Sequence, residues 1–170
     1  MFRAVPIWDG PVCVFRGNVV QWGKGCDTLI TETRIDVRYP DCDRMGIVHH
    51  AVYPIWYEMA RMDYFAHMGF SYADMNAQGI NPPLVELDLK YKAPATYPGT
   101  VTVKTRMTMY APKKLELQYE TWFEGKLCGT ARTFHIWTGP DMKSLDMEQA
   151  MPEVYQKIAS AYESPESIQE

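Results

Sequence analysis

From Val85 onward, apolar and polar residues alternate along the chain with a period of two. Val85, Leu87, Leu89 and Tyr91 alternate with Glu86, Asp88, Lys90 and Lys92. Val101, Val103, Thr105, Met107 and Met109 alternate with Thr102, Lys104, Arg106, Thr108 and Tyr110. Leu115, Leu117 and Tyr119 do the same with Glu116, Gln118 and Glu120. A residue pair repeats its side-chain direction in an extended strand, so each run predicts a strand with one buried face. A further strand is expected over 127–137, after a turn at Glu124-Gly125. Pro94, Pro98-Gly99 and Pro112 punctuate the runs. The short links predict that these consecutive strands pair antiparallel.

Before Val85 the period lengthens. Residues 31–39 mix Thr, Ile and Val with charges and predict a strand. Between Ala51 and Met68, Ile55, Met59, Met62 and Ala66 recur at three- and four-residue spacing, which predicts a helix carrying them on one apolar face. Tyr53, Trp56 and Tyr57 add apolar bulk to it. Pro54 lacks an N–H and fits only the first turn, which places the helix start near 50–52. Gly69 is the expected stop. Ser71 and Asp74 resemble a capping box for a short helix to Gln78, ended by Gly79. Pro152–Tyr162 predicts a C-terminal helix, and 163–170 a frayed tail. One helix face laid on a run of antiparallel strands is an α+β domain.

Residues 1–30 are harder to place. Val12–Phe15 and Val19–Trp22 flank Arg16-Gly17-Asn18. They fit either a hairpin or an extension outside the main domain. The chain thus divides into an extension (1–30), one domain (31–162) and a tail (163–170). No internal repeat is evident.

Composition narrows the function. At 170 residues, 46% apolar, the chain is long enough to bury a core without disulfides. No run of about 18 apolar residues exists, so no membrane span is expected. The early residues lack an apolar stretch of the signal-peptide kind. The net charge of −4 argues against a nucleic-acid partner. Lys90, Lys92, Lys104, Arg106, Lys113 and Lys114 nevertheless outnumber Glu86 and Asp88 in one stretch, which leaves room for a local anion site. Cys13, Cys26, Cys42 and Cys128 form no C-x-x-C pair, so reduced thiols in a cytoplasm are expected rather than a zinc site.

The chemistry concentrates in Asp41-Cys42-Asp43-Arg44-Met45-Gly46-Ile47-Val48-His49-His50, with Tyr53 beyond. This stretch joins a strand to the start of the long helix. A helix N-terminus offers free N–H groups and partial positive charge, which suit a polarised carbonyl. A carboxylate beside it could attack that carbonyl or activate water. Asp41 and Asp43 could equally cap the helix or order the turn. His49 and His50 could ligate a metal with the aspartates, but neighbouring residues on a regular element point apart. Glu58 and Arg61, at i and i+3, could form an ion pair. His67 and His135 read as structural.

Asp43, Gly46, Val48, His50 and Tyr53 resemble the D-x-x-G-x-V-x-H-x-x-Y signature of the hotdog-fold acyl-CoA thioesterases, most closely the 4-hydroxybenzoyl-CoA thioesterase-like family. Glu58-x-x-Arg61 and the Lys90-Tyr91-x-x-Pro94-Ala95 strand exit agree with it. The resemblance covers about residues 31–160. It implies a hotdog fold, with about five antiparallel strands wrapped around a long central helix. It implies hydrolysis of acyl-CoA without metal or cofactor, in a homodimer or homotetramer with sites between subunits. Asp43 would be the catalytic carboxylate, and the backbone N–H near His50 would polarise the thioester. His50, Tyr53 and Glu58 would border the substrate. Lys113 and Lys114 would hold CoA phosphates, where the residues alone suggest a solvated turn. Val52, Pro54 and His49 depart from the residues commoner in that family. A hydratase or dehydratase of the same fold is an alternative, although its D-x-N-P-x-H and H-F-P strings are absent. A non-catalytic acyl-CoA-binding module is another.

Overall fold

Apolar alternation builds the sheet, and aromatic bulk fixes the helix upon it. The computed structural model describes residues 12–14, 20–22 and 29–163. Two short strands, β1 (Val12–Val14) and β2 (Val20–Trp22), pair antiparallel, with Cys13 opposite Gln21. The expected turn between them and the tail from 164 lie outside the described residues.

The main sheet contains β3 (Ile30–Val37), β4 (Leu84–Tyr91), β5 (Gly99–Ala111), β6 (Lys114–Phe123) and β7 (Lys126–Ile136). Their spatial order is β3-β5-β6-β7-β4, and every neighbour is antiparallel. This corrects the expectation of simple sequential pairing. β5, β6 and β7 do form a meander, but β4 pairs with β7, Leu89 opposite Ala131, and occupies the far edge. The 92–98 link carries Pro94 and Pro98 and is too long and irregular for a tight hairpin, so β4 and β5 are free to separate. The tight β6–β7 turn is the one foreseen: Glu124 and Gly125 both have positive φ, 48° and 73°.

Helix α1 (Val52–His67) crosses the sheet with Pro54 in its first turn. Gly69, at φ 70°, follows its end. Helix α2 (Tyr72–Ala77) has the expected Ser71–Asp74 capping box. A short α3 (Met147–Ala150), unforeseen in the sequence, precedes α4 (Pro152–Glu163).

The buried face of α1 is not the face that Ile55, Met59, Met62 and Ala66 define. Ile55, Met59 and Met62 are 51%, 45% and 43% exposed. Tyr53, Trp56, Tyr57, Ala60, Arg61, Tyr64 and Phe65 turn inward instead. The helix is apolar on both sides, and the face with larger rings removes more surface from water. Those rings meet Val101, Val103, Met107, Leu115, Leu117 and Tyr119 of the sheet in one core. Tyr57 stacks near Tyr119, ring centroids 4.8 Å apart, and accepts a hydrogen bond from the Thr121 hydroxyl at 3.2 Å. The Tyr64 hydroxyl accepts from the Met107 N–H at 3.2 Å. These bonds satisfy phenols that would otherwise be buried unpaired. A sheet curled around one long helix is the arrangement that the hotdog resemblance implies.

Candidate active site

A clamp at the end of β3 orders the loop that leads into α1. The Asp41 carboxylate, 3% exposed, accepts from the Arg38 guanidinium at 2.7 Å and from the Arg38 N–H at 2.9 Å. The guanidinium's hydrogen bond holds the Asp41 carboxyl below its ordinary range. The Asp41 carbonyl accepts from the His49 N–H at 2.8 Å. Asp41 is therefore a brace for the loop and does not cap α1.

Asp43 sits further out, half-buried, in a tight turn. Its Oδ1 accepts from the Met45 N–H at 2.8 Å, and its carbonyl accepts from the Gly46 N–H at 2.9 Å. Gly46, at φ 76°, has the left-handed conformation that this turn requires. An antiparallel bridge between Cys42 and Val48 closes the turn. The Val48 N–H then reaches the Ala95 carbonyl at 2.9 Å, anchoring the loop to the segment beyond β4. One oxygen of Asp43 is thus used locally.

At the entry of α1 the preceding residue, Ala51, supplies no side-chain cap. His49 substitutes for one. Its carbonyl accepts from the Val52 N–H at 2.9 Å, and its Nδ1 accepts from the Ala51 N–H at 3.2 Å. The His49 and His50 rings lie against each other, centroids 4.0 Å apart and tilted by 33°. The expectation that they point apart fails because this stretch is a turn, outside the regular helix. The His50 carbonyl accepts from the Tyr91 hydroxyl at 2.9 Å. The sequence marks Tyr91 only as part of the strand-exit motif, because only the fold brings the end of β4 to the start of α1. Tyr53 is a core residue, 3% exposed, with its ring edge-on to Tyr91. Burial pushes its hydroxyl up to about 12.

A cleft of about 360 Å³ runs beside α1 along the β4 edge. Pro54, Tyr57, Glu58, Arg61, Tyr72 and Leu87 line it. Glu58 is exposed at its rim. Arg61 is buried and bonds to tyrosines, so the expected Glu58–Arg61 ion pair is not formed. A larger hollow of about 460 Å³ lies on the sheet, lined by Lys90, Lys104, Arg106, Glu120 and Arg132 among others. Its charges are mixed, and Lys104 is paired with Glu32 at 3.1 Å. The cleft, lined by the first turns of α1, is the better candidate for substrate.

Lys113 lies in the β5–β6 turn, 4.0 Å from Asp146, and Lys114 opens β6 just after it, over the Phe134 ring. β5 starts beside Val37 and ends at Ala111, so this turn and the Asp43 loop occupy opposite ends of the sheet. Along the strand that is roughly 40 Å. A single chain does not bring them together.

Comparison with known proteins agrees with this architecture. The family described as the thioesterase-like superfamily matches residues 37–159. YneP of Bacillus subtilis, whose name provisionally assigns it acyl-CoA thioesterase activity, is 32% identical over 73% of this chain and 91% of its own. The structure of a DHNA-CoA thioesterase from Staphylococcus aureus superposes with a TM-score of 0.74 at 35% identity, over 77% of this chain and 89% of that one. A hypothetical protein from Thermus thermophilus gives 0.71 at 32% identity, over 78% and 97%.

Proposed function

The chain belongs to the thioesterase-like superfamily, and from that premise we propose that it hydrolyses acyl-CoA thioesters to a free acid and CoA. The observation that carries this reading is that Asp43 and the entry of α1 belong to one hydrogen-bonded loop. The Arg38–Asp41 clamp and the Asp41–His49 bond brace this loop. His49 occupies the N–H groups of Ala51 and Val52 with its own acceptors. Neither bond takes up the His50 N–H, which this reading assigns to the thioester oxygen.

The thioester carbonyl would accept from that N–H at the positive end of the helix dipole, which stabilises the oxyanion as it forms. Asp43, through the oxygen not held by Met45, either attacks the carbonyl carbon or takes a proton from the attacking water. Activated water expels CoA as its thiolate and gives the free acid directly, whereas attack by Asp43 expels the thiolate and leaves an acyl anhydride on its carboxylate, which water then cleaves to the free acid. Glu58 borders the cleft that would receive the acyl group. The Tyr53 ring, packed behind the helix entry, supports the site from the core.

The site is completed by a second copy. β4 is an edge strand whose Leu84, Val85 and Tyr91 are 47%, 57% and 52% exposed. Such an edge invites antiparallel pairing with another β4. That pairing sets the Leu84 end of one protomer against the Tyr91 end of the other. The Lys113-Lys114 turn lies at the Leu84 end, since β6 begins beside the end of β7 to which Leu84 pairs. A two-fold dimer therefore brings the lysines of one copy toward the Asp43 loop of the other, where they would meet CoA phosphates. No helix among the described residues is long and apolar enough to cross a membrane. Cys42 and Cys128 are free thiols, which supports a cytoplasmic setting.

Thiol release from short, long and aromatic acyl-CoAs tests the reading. Release that depends on Asp43 supports it. Binding of acyl-CoA without release would instead make the protein a binding module.

A further inference from the structure

Arg61 is a buried cation with no acidic partner among the described residues. It faces inward from α1 and is 7% exposed. Its Nε donates to the Tyr72 hydroxyl at 2.8 Å, and Nη1 reaches the Tyr119 hydroxyl at 3.5 Å. Among the described residues, no carboxylate forms an ion pair with it. A guanidinium carries five donors and keeps its charge at any working pH. Burying that charge among neutral phenols is costly unless something else compensates it. Burial pushes the Tyr119 phenol up, so Tyr119 does not supply the negative charge.

The surroundings repeat the same imbalance. The Tyr119 hydroxyl is shared with the Thr133 hydroxyl at 3.0 Å. His135 is fully buried; its Nδ1 is bonded to the Pro82 carbonyl at 3.0 Å, while its Nε2 has no partner. Burial and the Arg61 charge push His135 down to about 4, so it stays neutral beside the cation. Arg61, Tyr72, Pro82 and Thr133 all line the cleft beside α1. Arg61 thus forms part of the cleft wall, while its tyrosine bonds engage Nε and Nη1.

The cleft also has a direction. Pro54 marks its end at the first turn of α1, and Arg61 lies about two turns further on. That separation is about 11 Å along the helix. Ile55, Leu84 and Leu87 give the intervening wall an apolar character. An acyl group whose thioester sits at the helix entry would run along this wall and end at Arg61.

We propose that Arg61 determines substrate class, by binding a carboxylate at the far end of the acyl group, so that the favoured substrate is an ω-carboxyacyl-CoA. This rests on the thioesterase reading above. A carboxylate matches the guanidinium fork in shape and supplies the missing charge. A plain aliphatic end would strip water from the guanidinium and return nothing.

The test compares kcat/KM for CoA thioesters spanning adipyl to sebacyl with the plain acyl and ω-hydroxyacyl thioesters of equal length. The wild-type protein should prefer the carboxylate end over the plain end by roughly ten- to hundredfold at one length. In Arg61→Gln that ratio should collapse toward one or below, and Arg61→Lys should fall between. Circular dichroism establishes whether each variant folds. If Arg61→Gln does not, Arg61→Lys and the wild-type ratio still decide. A wild-type ratio near one at every length overturns the proposal, as does a ratio that survives in Arg61→Gln. An equal preference for the hydroxyl end also overturns it, since charge would then not be what is recognised. If even plain acyl-CoAs release no thiol, it is the thioesterase reading that fails, and the same ratios are then read from dissociation constants.

Discussion

The Tyr91 hydroxyl donates to the main-chain carbonyl of His50 at 2.9 Å. Tyr91 ends β4 and His50 precedes α1, so this bond ties the exposed edge of the sheet to the loop that carries Asp43. The Tyr91 ring also stands edge-on to Tyr53, centroids 5.2 Å apart. A disturbance of the β4 edge is therefore transmitted to the residue whose N–H is assigned to the thioester.

Tyr91→Phe keeps the ring contact and removes the bond. A net hydrogen bond contributes about 1 kcal/mol. Because Tyr91 is half exposed, water can replace part of it. We expect a fall in kcat of roughly three- to tenfold, with the melting temperature lowered by only a few degrees. Steady-state kinetics beside a thermal melt checks both; a kcat equal to wild type removes Tyr91 from the positioning of the site.

Asp43→Asn preserves the side-chain oxygen that accepts from Met45 but removes the charge. Loss of a general base or nucleophile costs about 10²–10⁴ in rate. We expect kcat to fall by at least ~10² while the melt stays near wild type. His50→Ala should be milder, because the N–H assigned to the carbonyl is main chain and survives. Equal damage from the two would mean that the imidazole itself moves protons. An unchanged kcat in Asp43→Asn would leave Asp43 as a turn residue only.

His135 makes stability depend on pH. Its folded value, about 4, lies below the ordinary histidine value of about 6.5. Between these values the unfolded chain binds a proton that the folded chain refuses. Stability is therefore full above pH ~6.5, falls as pH drops toward ~4, and levels below that. The loss is about 3 kcal/mol. Arg61, the charged group that pushes His135 further down, does not titrate in this range. Denaturant melts from pH 7 to 4 should show this decline in wild type and lose most of it in His135→Asn. Parallel curves for the two proteins would show that His135 is not the source.

Local signals made the elements and the loop legible. Pro54 and Gly69 mark the start and end of α1 and the Ser71–Asp74 box the start of α2, because each signal depends on its own backbone. Strict alternation in β5 and β6 survived as alternating burial. Asp43 stood out because its spacing to His50 and Tyr53 is a pattern along the chain. What failed was long-range. Ile55 and Met59 are more hydropathic than Tyr53 and Tyr57, so the helix alone points to the wrong side; the large tyrosine rings show their buried role only once the sheet is in place. β4 alternates like its neighbours, and nothing in its residues says that it pairs with β7. Arg61 looked like a surface ion pair with Glu58 because spacing i, i+3 does not report burial.

The position of Lys113 and Lys114 yields the sharpest test of assembly. Within one chain they lie at the end of the sheet opposite Asp43, so they can serve CoA only across a dimer. Light scattering should first show a dimer or a tetramer built from it at micromolar concentration. Val85→Lys, placing charge on the exposed β4 edge, should shift it toward monomer and lower activity. The double substitution Lys113→Ala, Lys114→Ala should raise KM several-fold and weaken its dependence on salt. Mixing then separates the geometries. One protein carries Asp43→Asn, with intact lysines but no catalytic carboxylate. The other carries the double alanine change, with intact Asp43 but a high KM. If each site takes Asp43 from one subunit and lysines from the other, exchange of subunits rebuilds one complete site per hybrid dimer. With equal mixing, about a quarter of all sites regain the wild-type KM. If each site draws both from the same chain, hybrids contain no complete site, and the mixture shows only the sum of its two parents.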